Sequence, residues 1–201
     1  MQQHNPNFFR HEWRKRIRFP MRAIYCFIML LNTHNVAAEL SGQEIEHVKA
    51  AFVLNIARFV SWPPESFEEQ SARLLLCVRK GGISSQTLEM LEDETVGGYR
   101  VVVNQIDSFV DTRSCNVLFI ANDELEKYTK EISVDVNRPL LTILDITETE
   151  VARSVRSNVL VTLIRKGSRI GFEINLDKAR HSGLRMSSEL LKLATIIDDG
   201  S

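Results

Sequence analysis

Five side chains of this sequence have types suited to recognising a partner, namely Arg58, Trp62, Glu173, Arg180 and Arg185. Trp62 precedes two prolines, and an aromatic ring in such a corner can anchor a partner, although a core position suits it equally well. Arginine recognises carboxylates and acidic surfaces, whereas a structural Arg–Glu pair is the simpler interpretation of the charged residues. The five residues together predict binding rather than a reaction.

Groups that could perform catalysis or hold a metal are scarce. Only His47 and His181 lie after residue 38, and neither stands at a spacing typical of a zinc site. No nucleophile and base can be assembled from the spacing of the remaining residues. We therefore expect no enzyme activity, no metal and no cofactor.

One short motif lies where open α/β sheets bind anions. Arg79-Lys80-Gly81-Gly82 follows an apolar run and precedes a helical pattern, but it lacks the third glycine and the Lys-Ser/Thr of a phosphate loop. A plain turn is the favoured interpretation, and a small-molecule site at these strand ends is the alternative.

The amino-terminal segment predicts export. Residues 1–38 hold six Lys and Arg against one acidic residue, and the nine apolar residues 23–31 are too few to span a bilayer. Val36-Ala37-Ala38 has the small residues that a signal peptidase needs, so we expect a signal peptide over 1–38 and an exported domain over 39–201. An initiator at Met21 and an uncleaved anchor are the alternatives.

The net charge of the remaining chain limits the kinds of partner that it can bind. Residues 39–201 carry 19 Lys and Arg against 25 Asp and Glu, a net charge of about −6. Nucleic-acid binding needs clustered basic residues that displace counterions, so no nucleic-acid partner is expected.

Apolar runs alternate with helical periodicity along the exported part. The runs predict six strands, at 74–78, 101–103, 117–120, 140–144, 159–164 and 170–174. Helices are predicted from Ile45 to Phe59, after Gly82, over 123–131, over 147–155, after Asn175, and from Ser187 to Ile197. The alternation predicts a single α/β domain whose mostly parallel sheet of about six strands is flanked by helices, with an antiparallel hairpin at the late edge.

Four blocks of the sequence resemble the YfiR family. The opening block includes Val48-Lys49-Ala50-Ala51-Phe52 and Trp62-Pro63, and the closing block runs from Phe172 to Ala194. Val96-Gly97-Gly98 and Cys115–Ile120 lie between them in the expected order. The resemblance covers about Glu44 to Ile197, and four blocks in order are far more specific than one.

The resemblance implies a function. The family's namesake is a periplasmic repressor of a membrane-bound diguanylate cyclase. We therefore expect a regulator that binds the periplasmic sensor domain of an inner-membrane diguanylate cyclase or another sensor protein, with an outer-membrane lipoprotein as a further partner. A periplasmic small-molecule-binding protein is the alternative from a different class.

Two further expectations concern Cys77 and Cys115 and self-association. Removal of the predicted signal peptide, which holds Cys26, leaves two cysteines, and an even count in an exported chain favours a disulfide. The namesake carries a pair at the corresponding places. The family also implies a homodimer. We take the first helix as its candidate interface, because Val53, Leu54 and Val60 are apolar and lie off the predicted core face of Val48, Phe52 and Phe59. Burial by neighbouring elements is the alternative.

Overall fold

The computed structural model describes residues 42–67, 72–80, 83–131, 138–152, 156 and 158–198. The predicted signal peptide and its cleavage site lie outside these residues. Within them, no helix is both long and apolar enough to cross a membrane.

All six predicted apolar runs form strands of one sheet, as the parallel α/β pattern requires. They are β2 (Arg73–Arg79), β4 (Tyr99–Ile106), β5 (Val117–Ile120), β6 (Leu141–Asp145), β7 (Val161–Lys166) and β8 (Arg169–Asn175). Two short strands, β3 (Thr95–Val96) and β10 (Thr195–Ile197), extend it to eight among the described residues, in the order β10-β8-β7-β6-β5-β2-β4-β3. The predicted single α/β domain is confirmed.

The pairing is parallel from β4 through β2, β5 and β6 to β7. The predicted hairpin is the antiparallel pair β7–β8, and β10 lies outside it, parallel to β8. A separate two-stranded ribbon joins β1 (Val60–Ser61) to β9 (Arg185–Met186). Because the chain passes from β2 to β4 on one side and returns to β5 on the other, the strand order reverses between β2 and β5.

Helices cover both faces of the sheet. The described helices are α1 (Gly42–Arg58), α2 (Ile83–Leu88), α3 (Leu125–Glu131), α4 (Leu176–His181) and α5 (Ser188–Leu193). One core cluster joins α1, α4 and α5 to one face of the sheet, and a second joins α3 and Phe109 to the other face. This double coverage explains why β5 and β6 are buried at every residue.

The core face of α1 differs from the prediction. Its buried residues include Lys49, Val53 and Ile56, whereas Phe59 is 42% exposed. The prediction was wrong for Phe59 because the helix ends at Arg58, so the ring no longer follows the helical face. Val53 is 2% and Val60 7% exposed, so both belong to the core and neither forms part of an open dimer surface.

Two other helix predictions were wrong in part. Residues 147–152 form a turn followed by irregular chain, because the Asp145 carboxylate accepts hydrogen bonds from both the backbone N–H and the hydroxyl of Thr147. Residues 153–155 lie outside the described part. The last predicted helix stops at Leu193, and the β-branched Thr195-Ile196-Ile197 continue as β10.

The predicted disulfide between Cys77 and Cys115 is present. The two Cα atoms lie 5.8 Å apart, and both cysteines are buried. The bond ties β2 to the loop that leads into β5, next to the point where the strand order reverses.

Candidate functional site

A cleft of about 760 Å³ opens at the carboxyl ends of β2, β5 and β6. We call it the carboxyl-end cleft. It lies where the strand order reverses, which is the place where open α/β sheets bind ligands. Its lining includes Lys49 from α1, Arg79 from β2, Ser84 from α2, Glu124 after β5 and Asp145 from β6. Gly81 and Gly82 lie outside the described residues, but Arg79 and Ser84, each two residues from one of these glycines, line this cleft.

The ammonium group of Lys49 is the centre of a buried charge network in this cleft. Its Nζ lies 2.6 Å from a Glu46 carboxylate oxygen, 2.8 Å from Asp145 and 3.6 Å from Glu148. The Lys49 side chain is only 4% exposed. Ser84 donates a hydrogen bond of 3.2 Å to the other oxygen of Glu46, which ties α2 to the same network. The cation therefore joins α1 to the end of β6.

The pKa of Lys49 follows from these contacts. Burial alone lowers this pKa, but hydrogen bonds and charge attraction from Asp145 and Glu46 more than offset that effect and raise it above its usual value. Lys49 therefore stays a cation near neutral pH, which preserves its ion pairs with Asp145 and Glu46.

A second ion pair occupies the other side of the carboxyl-end cleft. The Nε of Arg79 lies 3.0 Å from a carboxylate oxygen of Glu124, and the guanidinium stacks over the ring of Phe109 at 5.8 Å. Burial raises the pKa of Glu124, while the charge of Arg79 opposes that rise. The Nη1 of Arg79 is buried without a hydrogen-bond partner among the described residues. The Nη1 of Arg79 is thus a donor that the described contacts of this cleft leave unused.

A smaller cleft of about 470 Å³ lies at the opposite edge, at the amino ends of the same three strands. We call it the amino-end cleft. Its charged lining consists of Arg73, Arg113, Arg138 and Glu65, and Cys115 of the disulfide lies in its wall. The two clefts thus differ in the sign of their charge.

Arg138 binds the loop that carries the disulfide. Its guanidinium donates to the main-chain carbonyls of Thr112 at 2.6 Å, Cys115 at 3.2 Å and Arg113 at 3.4 Å. Burial lowers the pKa of Arg138 from its usual value. Carbonyl oxygens satisfy the donors without cancelling the charge, so the guanidinium keeps its positive field.

Asn116 connects this edge to the predicted Trp62. The Asn116 amide accepts a hydrogen bond of 2.8 Å from the N–H of Leu75 and donates one of 3.0 Å to the carbonyl of Ser66. The main-chain carbonyl of Asn116 accepts a hydrogen bond of 3.3 Å from the indole N–H of Trp62, and the indole packs edge-on against Phe67. Trp62 is therefore a partly buried structural anchor, and its indole nitrogen already has a hydrogen-bond partner.

The structure separates the other predicted site residues. Glu173 pairs with Arg156 at 2.6 Å, and not with Arg58 or Arg180. Arg180 makes an exposed contact of 3.5 Å with Asp177. The interpretation of Glu173 as half of a structural Arg–Glu pair fits this geometry, but with a different arginine from those expected.

The end of α1 leads into the two-stranded ribbon, with Arg58 as the last residue of the helix and Arg185 opposite Ser61 on β9. Arg58 pairs with Glu94 at 3.0 Å and is 41% exposed, and Arg185 is exposed on β9. Phe59 lies between the helix and the ribbon, and its carbonyl accepts the N–H of Ser187. We call Arg58, Phe59 and Arg185 the ribbon surface. It combines an exposed aromatic ring with two cations, which suits a protein partner.

Comparison with known proteins places this architecture in a family. The sequence model described as YfiR/HmsC-like matches residues 46–195. The chain belongs to the YfiR/HmsC-like family. No curated protein matches the chain at a significant level. The family match covers α1 from Glu46 onwards, the charged residues named above for both clefts, and the ribbon surface. The family is regulatory rather than catalytic.

Sequence reasoning missed the residues that organise the two clefts of this family member. Lys49 stood within the resemblance to the YfiR family, but its ammonium partner Asp145 lies almost one hundred residues away and no spacing rule connects them. Arg138 lies in no recognisable sequence motif. A lysine within an otherwise apolar helical face was the one available signal, because a buried lysine needs a carboxylate partner.

Proposed function

We propose that this protein is a periplasmic regulator that restrains an inner-membrane signalling protein, with a diguanylate cyclase as the partner, by binding its periplasmic sensor domain. The observation that carries this proposal is the family match over residues 46–195. A buried disulfide between Cys77 and Cys115 supports an oxidising compartment.

The internal pairing of charges supports a binding role over a catalytic one. The ammonium of Lys49 contacts three carboxylates, and the Nε of Arg79 contacts Glu124. The charged side chains of the carboxyl-end cleft therefore favour a role in holding the fold together and in binding.

The ribbon surface is our candidate contact for the sensor domain. Phe59 offers an exposed aromatic ring, Arg58 precedes it at the end of α1, and Arg185 lies on β9 of the ribbon. Aromatic and arginine side chains contribute most to protein–protein affinity. Preferential binding to the inactive conformation of the sensor would shift its population and lower cyclic-di-GMP output. Release by an outer-membrane lipoprotein would reverse that shift.

Site-specific photo-cross-linking in the cell tests the contact. A photoreactive amino acid at position 59 should capture a membrane protein with a periplasmic sensor domain. The same probe at Leu193, which is 72% exposed and lies on α5, is the matched control. Equal capture from both positions, or none from position 59, would remove the ribbon surface from the account.

A small-molecule binder is the second candidate function, because a cleft of about 760 Å³ lies at the strand-order reversal with Arg79 Nη1 unsatisfied. Ligand pockets commonly have volumes of roughly 300–1,000 Å³. A thermal-shift screen against nucleotides, amino acids and peptidoglycan fragments tests it. A stabilising ligand whose effect is lost in Arg79→Gln supports this function, and a silent screen contradicts it.

We further propose that the protein forms a two-fold homodimer, so that one protomer can engage each sensor of a dimeric partner. Val53 and Val60 are buried in the core, which leaves Leu54 as the half-buried residue of the predicted interface. Light scattering on the purified protein checks the oligomeric state, and a monomer at high micromolar concentration would contradict it.

A further inference from the structure

The amino-end cleft concentrates positive charge in an acidic protein. Arg73, Arg113 and Arg138 line it together with one carboxylate, that of Glu65. None of the three arginines forms an ion pair with another described residue, whereas residues 39–201 as a whole carry an excess of acidic side chains. A local excess of about two positive charges is therefore available to a ligand.

The three guanidiniums are held differently. Arg138 is fixed by its hydrogen bonds to the carbonyls of Thr112, Arg113 and Cys115, and its pKa is lowered by burial. Arg73 and Arg113 are exposed at the rim. A fixed cation at the wall with two adaptable cations at the rim is an arrangement that can bind an anion with little loss of side-chain freedom at its centre.

A hydroxyl group beside the cleft adds an unused donor. The Oγ of Ser66, which belongs to the lining, is buried without a hydrogen-bond partner among the described residues. Buried polar atoms are normally hydrogen-bonded, so each exception calls for an explanation. A bound oxyanion that accepts this hydroxyl would provide one.

We propose that the amino-end cleft binds a small molecule with two or more oxyanion groups, phosphate or carboxylate, held by Arg73, Arg113 and Arg138. Guanidinium groups match the planar and bidentate geometry of both kinds of oxyanion. Two negative charges balance the local excess of two positive charges. This inference goes beyond the proposed regulatory function and does not depend on it.

The shape of the cleft favours a small molecule over an acidic protein segment. Its volume of about 470 Å³ lies within the range of small-ligand sites. Cys115 and Asn116 are 4% and 5% exposed, so this part of the wall is buried in the fold. The disulfide fixes the same wall, so the site is largely formed before a ligand arrives.

Isothermal titration calorimetry of the purified protein tests the proposal. The probes are pyrophosphate, citrate and inorganic phosphate, each at constant ionic strength with sodium chloride as the blank. Pyrophosphate or citrate should bind. Arg73→Gln and Arg113→Gln should each raise the dissociation constant about tenfold, because each removes one charge-assisted hydrogen bond. The matched control is Arg169→Gln, an exposed arginine at the start of β8, which should change it less than about twofold.

The outcomes distinguish the sources of the oxyanion. Binding of pyrophosphate alone assigns a phosphorylated ligand, and binding of citrate alone assigns a polycarboxylate. No binding by any probe up to about 10 mM would overturn the proposal. Binding that both arginine variants leave unchanged would also overturn it, as would binding of a glutamate-rich peptide in the absence of binding by the small anions.

Discussion

The carboxyl-end cleft and the amino-end cleft are lined by the two ends of the same three strands, yet their cations have different partners. At the carboxyl end, Lys49 and Arg79 each contact carboxylates at 3.0 Å or less. At the amino end, Arg138 contacts main-chain carbonyls, and its charge stays uncancelled. Charges that pair with each other mainly hold helices to the sheet, whereas charges fixed by neutral groups stay available to a ligand.

Loss of the Lys49 cation should have the largest effect. Lys49→Met leaves the carboxylates of Glu46 and Asp145 buried without their cation, which should lower the free energy of unfolding by about 3–5 kcal/mol. Urea denaturation measures this. Lys192→Met, which removes an exposed pair with Glu189, should cost at most about 1 kcal/mol.

The same variant sharpens the comparison of the two clefts. Anion affinity at the amino end should stay within about twofold of the original in Lys49→Met, because distant sites act nearly independently. A loss of stability no greater than in Lys192→Met would show that the buried network contributes no more than a surface pair.

Removal of the disulfide should have the second-largest effect on the free energy of unfolding. The bond closes a loop of 38 residues, so Cys77→Ala with Cys115→Ala should lower the free energy of unfolding by about 4 kcal/mol at most. Denaturation of the oxidised protein and the double variant measures this. Because Cys115 lines the amino-end cleft, anion affinity should fall as well. Unchanged stability would mean that the bond constrains the unfolded chain very little.

Loss of the Asn116 amide should have a smaller effect. Asn116→Ala removes the acceptor of the Leu75 N–H and the donor to Ser66, which should cost about 1–3 kcal/mol. Asn122→Ala is the control, since its amide makes an exposed hydrogen bond to Thr149 and should cost about 0.5 kcal/mol or less. Equal melting temperatures for the two variants would contradict the assigned role of Asn116.

The pH dependence of the Lys49 network should be the smallest effect. The folded-state pKa of Lys49 is raised, so its stabilising contribution is fully present below the usual value of 10.5 and is lost as the pH rises through the folded-state pKa. The stability difference between the unchanged protein and Lys49→Met should therefore stay constant from about pH 6 to 9 and shrink only above about pH 10.5. A difference that shrinks near neutral pH would contradict this assignment.

The sequence predicted the sheet better than the sites. Continuous apolar runs such as Val117–Ile120 are legible because a strand covered on both faces needs no polar residue. The short strands Thr95–Val96 and Thr195–Ile197 have too few residues to produce a period. The role of Phe59 was missed because α1 ends one residue before it.

The clefts depend on contacts between distant segments. Lys49 meets Asp145, and Arg138 meets the carbonyl of Thr112, only after the strands have paired. A sequence pattern records local periodicity and not such pairings. The predicted Arg58, Trp62 and Arg185 did come close to one ribbon, because they lie in the family blocks that build it.

The most direct test of the central claim is the cyclic-di-GMP content of a strain that lacks this gene. We predict a higher level than in the parent strain and restoration by the unchanged gene. The ribbon variant Phe59→Ser with Arg185→Glu should fail to restore it, while the control Leu193→Ser restores it fully. An unchanged level in the deletion strain would contradict the regulation of a diguanylate cyclase, and restoration by the ribbon variant would contradict the ribbon surface as the contact.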